Sequence, residues 1–202
     1  AFNFIKRAYE KKGSDPLFFF EVTMQNHSGY TDKFDNFTPD VALKDGGTDA
    51  INTYLSLMKQ TDTALESLVR YFSEQEEKTI IVFFGDHQPT DSVVEPVLQA
   101  NGKSGATLTD EEQKDRYVVP FVIWANFDIA EEQDVEISAN YLSGKVMQTA
   151  GLPLSPYQQY LEEFRQEIPV ISAEETRYTD ESVSGEDTLL SYQKLQYYML
   201  FQ

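Results

Sequence analysis

The chain has 202 residues, 41% of them hydrophobic, which is enough for one sizeable domain with a buried core and excludes wholesale disorder. Its formal net charge of −18 repels phosphate backbones at long range, which argues against nucleic-acid binding and means that a phosphate-bearing substrate needs a local cation. The absence of cysteine excludes disulfides, iron–sulfur clusters and a thiol nucleophile.

The first part of the chain predicts a helix, a strand and a loop. The helical pattern starts at Ala1 and ends at Gly13, where "GSDP" forms a turn. Residues 17–24, "LFFFEVTM", are a near-continuous apolar run, which is typical of a strand buried on both faces of a parallel sheet. Residues 25–47 are polar and aperiodic and predict a loop.

The middle of the chain predicts a long helix after the first strand, and two further strands after that helix. Apolar residues at helical spacing predict a helix over residues 48–74. The run "TIIVFF", residues 79–84, predicts a second buried strand. A polar loop follows, and then "YVVPFVIWAN", residues 117–126, predicts a strand that Pro120 makes irregular or confines to an edge.

The remainder is predicted to be mostly helical. Helices are expected over residues 137–150 and from Ser155, and an amphipathic helix over residues 188–201 follows a polar, exposed stretch. Strands that alternate with helices predict an α/β fold with a mainly parallel sheet flanked by helices.

Both histidines of the chain follow predicted strands. His27 comes three residues after the first strand, and Asp86 and His87 follow the second. Because ligands bind beyond the carboxyl ends of parallel strands, we expect these side chains to converge on one edge. A carboxylate oxygen and an imidazole nitrogen are good ligands for Zn²⁺ or Mn²⁺. His27 would then donate a hydrogen bond to a phosphoryl oxygen held on that metal.

The residues alone leave other interpretations open. A histidine after a strand is often a loop residue bonded to the backbone, and Asp86 with His87 supplies too few ligands for a complete metal site. The further ligands would have to be a carboxylate, a hydroxyl or a group upstream. Asn26 either bonds a substrate oxygen or shapes its turn. No Gly-rich phosphate loop or G-x-S-x-G sequence supports nucleotide binding or serine-hydrolase chemistry.

Five segments in this order resemble a known family. They are "FFFEVTMQNHSGY", "YLSLMKQTDTALESLVRYF", "IIVFFGDHQP", "VPFVIWAN" and "NYLSGKVMQTAGLPLSPYQQYL". Together they resemble the lipoteichoic acid synthase and phosphoglycerol transferase family of the alkaline phosphatase/sulfatase superfamily. The resemblance covers residues 1–171, and residues 172–202 are a C-terminal extension that ends in a helix.

The resemblance implies a function and its site residues. Members are membrane proteins whose extracellular catalytic domain moves glycerol phosphate from phosphatidylglycerol, or a related anionic phospholipid, to a glycerol-phosphate polymer or a glycan. One divalent metal is implied, Mn²⁺ first, with Mg²⁺ or Zn²⁺ as alternatives. By this match Asp86 and His87 are metal ligands, and His27 with Asn26 binds substrate. The expected location is the extracellular face of a bacterial membrane, with this chain itself soluble.

The resemblance also implies that part of the site lies elsewhere. In the family, the nucleophilic Thr and a metal-ligand Glu precede the segments found here. Residues 1–202 are therefore expected to be the C-terminal portion of an alkaline-phosphatase-like catalytic domain, without a catalytic nucleophile and inactive alone. Two alternatives stay open: a sulfatase or phosphodiesterase of the same superfamily, and a non-catalytic binding module.

Overall fold

The computed structural model describes residues 2–27, 29–44, 47–180 and 185–201. Their contacts divide the chain into two compact units. Unit 1 comprises Ala1–Thr79 and Gly85–Val119, and unit 2 comprises Ile80–Phe84 and Pro120–Gln202.

Unit 1 is helical. Its helices are α1 (Phe2–Lys11), α2 (Asp49–Ser73), α3 (Asp91–Ala100) and the short α4 (Asp110–Lys114). The chain leaves α1 through Gly13, whose φ of +66° is a conformation that glycine adopts without steric cost. Helix α2 begins after Thr48, whose side chain accepts a hydrogen bond from the backbone N–H of Ile51. Both predicted helices are confirmed.

The loop between α1 and α2 is fixed to α2 by buried polar contacts. Ser56 is fully buried, and its hydroxyl accepts the backbone N–H groups of Asp40 and Val41 at 3.0 and 2.9 Å. The Asn52 side chain likewise accepts the backbone N–H of Leu43 at 2.9 Å. These bonds, together with the buried Ile51, hold an otherwise irregular segment against the helix.

Helices α3 and α4 lie where the sequence predicts only a polar loop. Pro96 lies inside α3, although proline usually breaks a helix, and Val93 supplies its buried residue. Helix α4 has a capping box in which Thr109 and Glu112 bond each other's backbone N–H groups. Thr109 followed by Glu112 three residues later is a local capping signal that the sequence prediction missed.

The predicted strand at residues 17–24 is wrong. The described residues contain no strand there, and no strand among them pairs with this segment. Its alternate side chains Phe18, Phe20, Val22 and Met24 are exposed, Phe18 at 89%. An apolar run shows that a segment suits burial in a sheet, but hydrogen bonding with a neighbouring strand is what forms the strand.

Unit 2 contains the sheet, and its strands are antiparallel. Strand β1 (Ile80–Phe84) pairs with β2 (Phe121–Ala125), with Val82 opposite Ile123. Pro120 immediately precedes β2, where its missing N–H costs no ladder bond. The prediction of a mainly parallel sheet is therefore wrong for the described residues, although the α/β class is confirmed.

Helices form the rest of unit 2. They are α5 (Ala139–Thr149), α6 (Pro156–Glu167) and α7 (Glu186–Phe201), and a small antiparallel hairpin of β3 (Val170–Ile171) and β4 (Thr176–Arg177) precedes α7. The three helices were predicted and the hairpin was missed. The prediction that helix α7 is amphipathic is wrong, because all five residues of Tyr197–Phe201 are exposed, whichever side of the helix they lie on. Among the described residues, no helix has the length and apolar character needed to cross a membrane.

The core of unit 2 is an aromatic cluster. Its buried members are Tyr141, Leu161, Phe164, Ile168 and Tyr192. The Tyr141 hydroxyl donates a 2.6 Å hydrogen bond to the backbone carbonyl of Ile168, which satisfies a polar group inside an apolar cluster.

The stability of unit 2 is expected to fall in strong alkali because of Tyr141. Burial raises the pKa of Tyr141 from 10.0 to about 12, so the unfolded chain releases this proton first. Protonated Tyr141 therefore contributes about 2 to 3 kcal/mol to the free energy of unfolding below pH 10. This contribution is lost as the pH rises from 10 through 12. Urea unfolding followed by circular dichroism at several pH values checks this. Tyr141→Phe should lose correspondingly less stability between pH 10 and 12, and an equal loss in both proteins would contradict the assignment.

Candidate metal and phosphoryl site

The segment that carries His27 is anchored on α2 within unit 1. The Asn26 side-chain amide donates to the Thr61 hydroxyl at 2.8 Å, and that hydroxyl donates to the carbonyl of Leu57 at 3.1 Å. The Tyr30 hydroxyl donates to the backbone carbonyl of Asn26 at 2.8 Å, and burial raises the pKa of Tyr30, which keeps the hydroxyl a neutral donor. His27 is thus held between two anchored neighbours.

The loop that carries Asp86 and His87 is tied to the segment before β2. The Gln88 side chain donates to the carbonyl of Val118 at 2.6 Å. Gly85 lies so close to Val119 that an added Cβ would be 3.3 Å from the valine Cβ. Glycine is therefore favoured here by close packing, since Gly85 has no unusual backbone angle among those recorded for the chain.

Asp86 and His87 form a local pair with a defined orientation. The His87 Nδ1 lies 2.7 Å from the carbonyl of Gln88, so the neutral ring carries its proton on Nδ1 and its lone pair on Nε2. That Nε2 lies 3.7 Å from Oδ2 of Asp86, while Oδ1 of Asp86 accepts the His87 backbone N–H at 3.0 Å. Both side chains are open to solvent, Asp86 at 80% exposure and His87 at 64%.

The structure brings the two histidines together. The ring centroids of His27 and His87 are 6.5 Å apart with an interplanar angle of 84°. The predicted convergence of His27, Asp86 and His87 is therefore seen in unit 1, although the parallel sheet from which it was derived is not. The roles of these residues stay predictions.

The Asp86–His87 pair fits part of a metal site. Bonds of about 2.0–2.2 Å from each atom to one ion together span more than the 3.7 Å between Oδ2 and Nε2, so both can bind the same ion. Within the part of the chain that the structure describes, no group of three or more His, Asp or Glu side chains gathers as a metal site. The pair accordingly supplies two ligands of an incomplete set.

Asn26 has a structural role that the sequence left open. Its amide nitrogen is bonded to Thr61, and its Oδ1 is buried with no hydrogen-bond partner among the described residues. The side chain therefore fixes the turn before His27. Its predicted contact with substrate stays a prediction.

A cavity beside His27 was not predicted. It lies in unit 1, has a volume of about 310 Å³, and is walled by one face of α2 and by the segment around His27. Thr53, Leu57 and Gln60 form the α2 face at spacings of four and three residues. The sequence showed that Thr53 and Gln60 lie beside the main apolar face of α2. It did not show which segment lies opposite them.

Comparison with known proteins establishes the family. The model of the sulfatase family matches residues 1–152. The chain belongs to the sulfatase family. The match includes both histidine segments and ends before the aromatic core helix α6.

Similar proteins add context to this sulfatase-family chain. A protein of Rhizobium meliloti (strain 1021) named for cyclic beta-1,2-glucan modification is 30% identical over 155 residues, 73% of this chain and 24% of that protein. An uncharacterized protein of Haemophilus influenzae is 27% identical over 143 residues, 68% of this chain and 24% of that protein. The chain therefore spans about a quarter of the length of these relatives.

A solved structure shares the fold. It is the Streptococcus pyogenes phosphoglycerol transferase GacH in complex with sn-glycerol-1-phosphate, with a TM-score of 0.51 and 18% identity. The match covers 76% of this sulfatase-family chain and 38% of that chain. At this identity the likeness shows the fold alone.

Proposed function

We propose that this chain is part of a metal-dependent phosphoglycerol transferase that moves glycerol phosphate from an anionic phospholipid, such as phosphatidylglycerol, to a glycan of the bacterial cell envelope. The observation that carries the proposal is the approach of His27 to the Asp86–His87 pair, with 6.5 Å between the two rings. Such a grouping places a hydrogen-bond donor beside two metal ligands, as phosphoryl transfer requires.

The names of the similar proteins support the choice of substrate. The solved relative is a phosphoglycerol transferase bound to sn-glycerol-1-phosphate, and a curated relative is named for glucan modification. In the proposed reaction the phosphorus–oxygen bond to diacylglycerol breaks and one to a glycan hydroxyl forms. The hydroxyl proton ends on diacylglycerol, so atoms and charge balance.

The residues of this chain have separate roles in the proposal. Asp86 and His87 would hold a divalent metal, which neutralises charge on the phosphoryl group when bound. The Gln88 carbonyl orients His87 by accepting its Nδ1 proton. His27 would donate a hydrogen bond to a non-bridging phosphoryl oxygen. The nucleophile and the remaining ligands belong to other parts of the protein in this proposal, as does its attachment to the membrane.

His27→Gln in the full-length protein tests the substrate role. The expected result is a loss of about 10²–10³ in kcat, because one donor to the charged oxygen is misplaced, with metal content unchanged. The assay follows glycerol phosphate from phosphatidylglycerol to a β-glucan. Transfer to water alone would favour the phosphodiesterase alternative. Unchanged kcat would remove His27 from the site.

A further inference from the structure

The cavity beside His27 is lined by several side-chain polar groups that bond no other described residue. Thr53 is only 9% exposed, yet its hydroxyl makes no hydrogen bond to the described residues and lines the cavity. The side-chain amides of Asn36 and Gln60 also line it; both residues are exposed, and neither amide bonds another described residue. The neighbouring Asn26 side-chain nitrogen and Tyr30 hydroxyl, by contrast, are bonded to the protein. The Thr53 hydroxyl and the two amides are therefore open to the cavity, where water or a ligand can form hydrogen bonds with them.

The chemistry of the lining selects the ligand. Amides and a hydroxyl both donate and accept, which matches the hydroxyl groups of a polyol or sugar. The aromatic rings of Phe34, Phe37 and Tyr30 supply apolar surface of the kind that packs against the C–H face of a pyranose. A volume of about 310 Å³ lies at the lower end of the range for small-molecule pockets, which suits one ring rather than a lipid chain.

The lack of charged side chains among the described lining residues also restricts the class of ligand. No Asp, Glu, Lys or Arg lines the cavity in the described residues, although a quarter of the chain is charged and its net charge is −18. A phosphate or a cation would require an opposite charge in such a pocket. The lining is therefore suited to a neutral ligand, and His27 is the residue that it shares with the candidate site.

We propose that this cavity binds one neutral glycosyl unit of the acceptor glycan. The sugar ring packs on the aromatic side, and its hydroxyls bond Asn36, Gln60 and Thr53. This inference rests on the proposed function, because it assigns the acceptor of that reaction to a place beside His27. The glycerol of the donor is also a neutral polyol, but it has no ring face to pack against the aromatic side chains.

Binding of small sugars to the full-length protein tests this directly. The probes are methyl β-glucoside and a β-1,2-linked glucose disaccharide, with glycerol for comparison, and affinity is measured by calorimetry. We expect both sugars to bind and glycerol to bind at least tenfold more weakly. Asn36→Ala with Gln60→Ala should weaken sugar binding by about tenfold or more, since two hydrogen bonds are lost. Phe34→Ala should weaken it similarly.

Matched controls separate this effect from general damage. Gln113→Ala removes an exposed helix amide elsewhere in unit 1, and Phe4→Ala removes a similarly exposed ring from α1. Neither should change sugar affinity. Sugar binding that survives all three cavity substitutions would overturn the proposal, as would glycerol that binds as tightly as the sugars.

Kinetics distinguish failure of the subsite from failure of the proposed function. In the transfer assay, the cavity variants should raise KM for the glycan while KM for the phospholipid and metal content stay constant. A raised KM for the phospholipid instead would assign the cavity to the donor and overturn the proposal. Sugar binding that responds to the variants in a protein with no transfer activity would uphold the subsite and refute the transferase.

Discussion

Asp86→Asn is expected to remove the metal from the full-length protein and to lower transfer by about a thousandfold or more. Asparagine keeps the shape of the side chain but loses the negative charge that binds a hard divalent cation. A bound metal supplies several kcal/mol of charge stabilisation in the transition state, and each 1.36 kcal/mol is about tenfold in rate. Metal content by plasma emission spectroscopy and transfer of labelled glycerol phosphate are the two measurements.

A second expectation sharpens the first. Mn²⁺ should raise the unfolding temperature of the wild-type protein and not that of the variant, because a ligand that binds only the folded state stabilises it. Asp91→Asn is the matched control, since Asp91 is equally exposed, at 84% against 80%, and lies in the same part of the chain. Its ion pair with Arg116 is a surface pair of about 0–1 kcal/mol, so stability should hardly change.

The result also separates the alternative functions. A non-catalytic binding module predicts that Asp86→Asn changes neither metal content nor stability. If Asp86→Asn loses the metal but keeps its transfer activity, the metal has a structural role and takes no part in the proposed reaction. The His27 and Asp86 variants therefore differ: one should keep the metal and lose rate, and the other should lose both.

How much the sequence could predict depends on whether the signal was local. Helix α2 was predictable because Thr48 caps it and its apolar face repeats with helical spacing. The grouping of His27 with His87 was also predicted. The premise was wrong, however: β1 pairs antiparallel with β2, and residues 17–24 form no strand among the described residues. Pairing partners are non-local, and an apolar run does not encode them.

The cavity was beyond sequence reasoning for the same reason. Thr53 and Gln60 are ordinary polar residues of a half-exposed helix until the segment containing Asn36 lies opposite them. That segment continues to Asp40 and Val41, whose backbone N–H groups donate hydrogen bonds to the hydroxyl of Ser56. No sequence pattern indicates this role for Ser56. Residue type indicates the chemistry, whereas convergence depends on how an irregular loop is anchored.

Phe164→Ala is expected to be the most destabilising single substitution in unit 2. Phe164 is 2% exposed, and its ring stacks on Tyr192 with 4.5 Å between centroids and on Tyr160 with 6.1 Å. Removing a buried phenylalanine costs about 3–5 kcal/mol, and domains of this size are stable by only about 5–15 kcal/mol. Urea unfolding followed by fluorescence of Trp124, which lies in β2 of the same unit, measures the free energy of unfolding.

Two companion variants show whether the loss comes from this core. Phe164→Leu keeps most of the apolar volume but removes the stacking, so it should cost less than Phe164→Ala, by roughly half. Phe201→Ala removes a ring that is 70% exposed in α7, and it should change stability by no more than about 0.5 kcal/mol. If Phe164→Ala and Phe201→Ala proved equally mild, the cluster around Phe164 would not be the core that holds α5, α6 and α7 together. If Phe164→Ala alone unfolds unit 2, the stability of that unit depends on aromatic packing between helices rather than on its two short sheets.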